Sequence, residues 1–294
     1  MARYIHSAEL RIFDRLIERF DLVQLPVLPL IDPNSRWIGG HYADEFAESH
    51  GKELVVREAL GAGLPSAGVG CAFRRDRLAA IAGAGDGPFD AECLTEDYEL
   101  GLRVRAAGGR GVFVRMRGGR DRPVVVTREY FPATIEAAVG QKARWMLGIA
   151  LSGWERLGWG GGLAETWMRL RDRQSVLAAI LLAAGYGVLL LFGLLVLAEA
   201  FFGFTPRPLA PGLATLLGLN AALLAWRLAM RFGFVTAGYG WREGLRSIPR
   251  VMISNMIAML AARRAVVRYL TLRRTGEQSW DKTAHAFPSV MPAE

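Results

Sequence analysis

A chain of 294 residues, 52% hydrophobic and carrying a formal charge of +8, has room for one or two domains and is more apolar than an ordinary soluble protein, so a membrane-attached part is expected. The positive charge does not point to nucleic acid, because the arginines flank apolar segments and no Lys/Arg run with interleaved aromatics occurs. Cys71 and Cys93 form neither a metal-ligand spacing nor a disulfide framework, which fits a reducing compartment, and His6, His41, His50 and His285 are too scattered to assemble a metal site locally. Residues 1–20 hold Arg3, Glu9, Arg11, Asp14, Arg15, Glu18 and Arg19 without an apolar core segment, so no signal peptide is expected.

Leu10, Phe13, Ile17 and Phe20 recur at helical spacing and predict an amphipathic helix over residues 7–20. Residues 22–30 read as one buried strand that Pro26 and Pro29 place at an edge or end early. A helix over 41–60 turns Tyr42, Phe46, Leu54 and Val55 to a core, leaving Asp44, Glu45, Glu48 and Lys52 to face water or substrate. Residues 67–75 form a small-residue strand in which Gly68 and Gly70 either pack closely or admit a ligand. Residues 79–87 are expected to be a loop. Thr95 caps the next helix, with Glu96, Asp97 and Glu99 in its first turn and Gly108-Gly109 at its end. Residues 111–116 and 123–127 are strand-like, and a helix follows Pro132 over 133–157.

Strands and helices mixed in this way indicate an α/β domain over residues 1–160. A basic linker, 161–174, leads to residues 175–198, an uncharged stretch long enough to cross a hydrocarbon core. Residues 208–226 form a second candidate span beyond Pro206, Pro208 and Pro211, so 175–230 reads as a transmembrane hairpin. Arg169, Arg171 and Arg173 precede the hairpin, and Arg227, Arg231, Arg242, Arg246 and Arg250 follow its second member, whereas the connecting loop holds Arg207. That bias places both ends, and the α/β domain with them, in the cytoplasm. Residues 247–270 form an interfacial or third membrane helix, the apolar stretch 251–262 being short for a span, and 271–294 form a cytoplasmic tail.

Two motifs carry chemistry. Asp97, in the acidic stretch Thr95-Glu96-Asp97, stands where a carboxylate can take a proton from a hydroxyl, although acids in a first helical turn also stabilise the helix dipole with no catalytic part. Gln141, Arg144 and Trp145 are spaced i, i+3, i+4 and share one helix face. The guanidinium suits a phosphate and the indole suits a sugar face, while the same residues near a bilayer can serve as an interfacial anchor.

An acidic triplet, then Gln-x-x-Arg-Trp, then a membrane span is an order similar to that of the membrane-bound family 2 glycosyltransferases, the class of cellulose and hyaluronan synthases. The segments at 22–27, 44–48, 128–132 and 280–285 resemble a narrower bacterial subgroup of it. The resemblance implies the C-terminal half of a GT-A (nucleotide-diphospho-sugar transferase) domain followed by a transmembrane helical hairpin in a bacterial inner membrane. It assigns Asp97, with Glu96 beside it, as catalytic base, and Gln141, Arg144, Trp145 and Thr95 to the donor pyrophosphate and the acceptor. Gly68, Gly70 and Asp44 stand as substrate-proximal candidates.

The family also has an upstream nucleotide-binding half, ending in an Asp-x-Asp-like element shortly before the segment matching Tyr4-Ile5-His6, that holds a divalent cation. Magnesium or manganese is therefore expected for the complete enzyme, with ligands outside this chain, and the chain alone is expected to be inactive. The implied partners are a nucleotide-sugar donor, a glycan acceptor, the lipid bilayer, and a separate donor half or outer-membrane partner. The alternative is a catalytically inactive membrane accessory or phage-receptor assembly component that keeps the fold.

Overall fold

The computed structural model describes residues 7–83, 87–89, 93–117, 124–203 and 209–276. Tyr4, Ile5, His6, Pro206, Arg207, Pro208 and the 280–285 segment lie outside the described residues. Helix α1 (Ser7–Ile17) leads into strands β1 (Leu22–Gln24) and β2 (Val27–Leu30). Helices α2 (Ile38–Glu48) and α3 (Leu54–Ala59) are joined through π-helical Ser49–Glu53, so the helix expected over 41–60 is one rod with a widened turn. Strand β3 (Cys71–Phe73), helices α4 (Arg75–Ala82) and α5 (Glu96–Ala106), and strands β4 (Gly111–Phe113) and β5 (Thr127–Tyr130) follow. Helix α6 (Ile135–Trp145) continues through π-helical Met146–Ser152 into α7 (Gly153–Leu157). Helix α8 (Leu163–Arg173) precedes three long helices, α9 (Ser175–Phe202), α10 (Pro211–Tyr239) and α11 (Trp241–Thr275).

The strand expected over 22–30 is two strands in two sheets. Strand β1 is central in the order β3-β1-β4, antiparallel to β3 and parallel to β4, whereas β2 pairs in parallel with β5 alone. Pro26 separates them because it has no N–H for a ladder, and Pro29 is tolerated because β2 is an edge strand. The expected loop at 79–87 is in part helix, since Ala79, Ala80 and Ala82 favour that state until Gly83, at φ +58°, ends it. The strand expected at 123–127 begins only at Thr127, where pairing with β2 is available.

Leu22, Leu54, Leu64, Val104 and Phe113 fill one core beneath the three-stranded sheet, and Ile12, Val23, Leu25, Val114 and Val125 fill a second with α1. A third core joins the domain to the C-terminal helices. Tyr42 of α2, Ala138, Val139 and Ala143 of α6, and Ile257, Ala261 and Ala265 of α11 are buried together. Helix α11, 35 residues long, thereby packs against α2, α6, α9 and α10. Helices α9 and α10 are long and apolar enough to cross a membrane, and their large side chains, among them Leu189, Phe192 and Leu223, are exposed.

Candidate active site

Helix α5 begins at Glu96, with Thr95 in the N-cap position. Thr95 does not cap through its side chain, contrary to the expectation. It packs instead on the helical turn after Trp145: a Cβ built on Gly148 would lie 2.5 Å from Thr95 Oγ1 and 2.7 Å from its Cγ2. Glycine at 148 therefore permits the contact that brings the two motifs together.

Asp97 is half-buried, and its Oδ1 accepts the backbone N–H of Tyr98 at 2.8 Å. Burial raises its carboxyl above the ordinary range, Glu96 adds to this, and the Tyr98 N–H and the Arg144 charge oppose it. Arg144 thus acts on Asp97 across the interface that Gly148 closes. Gly68, at φ +71°, faces the other carboxylate oxygen, and a Cβ there would overlap Asp97 Oδ2 and lie 3.2 Å from Cγ. Only glycine, exposed here and in a left-handed backbone, lets the Asp97 carboxylate lie this close. Gly70 behaves differently: its missing Cβ makes room for Thr127, whose Cβ would lie 3.0 Å away, so it is a packing residue facing the core.

On α6, Gln141 is 4% exposed. Gln141 Oε1 and Arg144 Nε are buried with no hydrogen-bond partner among the described residues, polar atoms that an incoming ligand could satisfy. Trp145 is half-buried and packs edge-on to Tyr42, with ring centroids 6.1 Å apart, and beside Phe46 and Phe131. Lys142, between the motif residues, donates to Glu45 Oε1 at 2.5 Å, and Ser254 Oγ of α11 donates to the same oxygen at 2.7 Å. Burial alone would raise the Glu45 carboxyl, but Lys142, His41 and Ser254 hold it down at about 2.

The water-facing role expected for Asp44 is corrected. Its side chain is fully buried, with Arg250 Nε at 3.3 Å and Arg231 at 3.8 Å. Arg231 also binds Glu48 at 3.0 Å, and Arg250 binds Glu243 at 2.8 Å, so the acidic face of α2 docks on the basic residues of α10 and α11. Burial pushes the Asp44 carboxyl up to about 7, against the pull of Arg250 and Arg231. The sequence reading treated those arginines only as markers of membrane orientation. The glycine of Gly148 was also passed over, though a glycine inside a helix three residues after the motif was a signal of close approach.

No group of three or more His, Cys, Asp or Glu side chains is arranged to hold a metal ion among the described residues. The described residues do not fit a divalent cation. An acidic helix start and, on an adjoining helix, a cation and an indole thus stand together in the half of the molecule that precedes the apolar helices. Residues 5–230 match the family described as Glycosyl transferase family group 2, and the chain belongs to that family. It is 36% identical over 307 residues to bacteriophage adsorption protein B of Escherichia coli strain K12, covering 97% of this chain and 41% of that protein. Bacteriophage N4 adsorption protein B of Escherichia coli O157:H7 matches to the same extent. The chain therefore spans about two fifths of the length of the curated relatives it matches.

Proposed function

We propose that the chain supplies the acceptor and leaving-group side of a nucleotide-sugar:glycan transferase site, the C-terminal half of a GT-A domain held at a bacterial inner membrane by α9 and α10. The observation that supports this best is the convergence on Asp97: one carboxylate oxygen lies against the exposed backbone of Gly68, and Arg144 acts on the same group. The acceptor hydroxyl approaches Asp97 Oδ2 through the space beside Gly68. As its oxygen bonds to the anomeric carbon, Asp97 takes the proton and the bond to the diphosphate breaks. A carboxyl raised by burial is a stronger base than an ordinary aspartate, and Glu96 keeps it raised. Arg144, with Gln141 beside it, meets the departing pyrophosphate, and the exposed part of Trp145 holds the acceptor sugar. Thr95 fixes the start of α5 against α6.

In this reading magnesium or manganese belongs to the complete enzyme and is held by ligands outside the described residues. The α/β domain faces the cytoplasm, with Arg169, Arg171 and Arg173 before α9 and Arg242, Arg246 and Arg250 after α10. Helix α11 lies at the interface, since it packs on the domain and carries Arg263, Arg264 and Arg268.

The test uses membranes of the source organism, where any further parts of the enzyme are present. They are given a panel of UDP- and GDP-linked labelled hexoses with magnesium or manganese. Incorporation into glycan that disappears when the gene is deleted supports transferase activity. Equal incorporation with and without the gene overturns it and leaves the accessory role, in phage adsorption, that the relatives' names suggest.

A further inference from the structure

Helix α8 bonds Tyr98, the residue after Asp97, and Gly63, at the head of the segment that runs to Gly68. Its Asp172 accepts the phenol O–H of Tyr98, the residue whose backbone N–H holds Asp97 Oδ1. Arg57 Nη1 donates to both oxygens of the same carboxylate, at 2.9 Å and 2.8 Å. Arg57, 3% exposed, uses Nε to bind the carbonyl of Gly63 at 2.5 Å. Glu165, seven residues and about two turns earlier on α8, accepts the N–H of Gly63 at 2.7 Å. Gly63 opens the segment that runs to Gly68, and a Cβ on Gly101 of α5 would lie 2.5 Å from the backbone nitrogen of Ser66, so that segment is pressed on the helix that carries Asp97. A single residue, Gln174, separates α8 from the apolar helix α9.

We propose that Asp172, acting through Tyr98 and Arg57, is a positioning residue for Asp97, so that the helix leading into the first apolar helix sets the orientation of the base. A half-buried carboxylate whose two oxygens share Arg57 Nη1 and which also accepts the Tyr98 hydroxyl is held by three charge-assisted contacts, and a base misplaced by a fraction of an ångström loses rate rather than affinity. Tyr98 is the connecting piece: its ring ties to α8 at one end and its N–H orients the carboxylate at the other. The proposal rests on Asp97 serving as base in sugar transfer.

The experiment measures apparent Vmax, KM for the nucleotide sugar and the pH profile, per amount of protein, in membranes carrying Tyr98→Phe, Asp172→Asn or the control Tyr239→Phe. The control removes a comparable phenol bond, from Tyr239 to the Pro29 carbonyl at 2.8 Å, away from the site. Tyr98→Phe and Asp172→Asn are expected to lower Vmax about tenfold or more with KM changed less than about twofold. The acid limb of the profile moves to higher pH, since the Tyr98 N–H favours the charged form of Asp97. Tyr239→Phe leaves Vmax and the acid limb in place. If Asp172→Asn fails to accumulate, the isosteric Tyr98→Phe decides. Unchanged Vmax and acid limb in Tyr98→Phe, with the wild type active, overturn the positioning role alone. Wild-type membranes no more active than the deletion strain overturn the transferase reading and this proposal with it.

Discussion

Gly68→Ala separates two effects that a glycine can have. At φ +71° an alanine is strained by roughly 1–2 kcal/mol, the usual penalty of a left-handed L-residue. Its methyl would also overlap Asp97 Oδ2 and force the carboxylate to turn from the space assigned to the acceptor. Gly61→Ala is the matched control: at φ +67° it carries the same backbone strain, and a Cβ there meets nothing within 4 Å. Both variants should therefore lose roughly 1–2 kcal/mol in thermal or denaturant unfolding. They should differ in transfer, with Gly68→Ala about a hundredfold down, the order associated with misplacement of a reacting group, and Gly61→Ala near wild type. The assay is sugar incorporation in membranes, normalised to protein, beside unfolding of the purified chain. Equal activity in the two variants would refute the claim that Gly68 keeps the Asp97 carboxylate open to its substrate.

Arg144→Gln removes a charge that lowers the Asp97 carboxyl, so the acid limb of the pH profile should shift to higher pH; an unmoved limb would show that Arg144 and Asp97 do not share a site. Arg250→Met should destabilise the purified chain by roughly 3–5 kcal/mol at pH 8, because it leaves the buried Asp44 carboxylate without its nearest cation. The Asp44 carboxyl stands at about 7 in the folded chain against 3.8 in the unfolded one. Its contribution to stability is therefore fully present below pH 3.8 and is lost as pH rises through 7. Asp44→Asn should accordingly flatten the pH dependence of stability between those values, and an unchanged slope in urea titrations would contradict it.

The motifs were legible because their chemistry is local: three acids open one helix turn, and Gln141, Arg144 and Trp145 share a face within two turns. Helices α9 and α10 were legible from length and apolarity, and the edge position of β2 from Pro29. What joins these pieces was not legible. Asp44 and Arg250 are 206 positions apart, Tyr98 and Asp172 are 74 apart, and no pattern in either segment marks the partner. The amphipathic reading of α2 went wrong for the same reason: its acidic face has a protein neighbour supplied by the far end of the chain. Trp145 was read as a stacking surface, and it also belongs to an aromatic cluster with Tyr42 and Phe46 of α2 and Phe131 just after β5. Each stretch read as a strand overlaps an observed one, but the division of 22–30 between two sheets was not legible, because strands of three and four residues leave almost no periodic signal.

Asp97→Asn offers the most direct measurement, because it removes the base while keeping the shape of the side chain. In membranes supplied with the labelled nucleotide-sugar panel, at protein levels matched to wild type, incorporation into glycan should fall by about a hundredfold or more, within the range associated with loss of a general base. Incorporation that stays within about twofold of wild type would show that proton removal does not pass through Asp97.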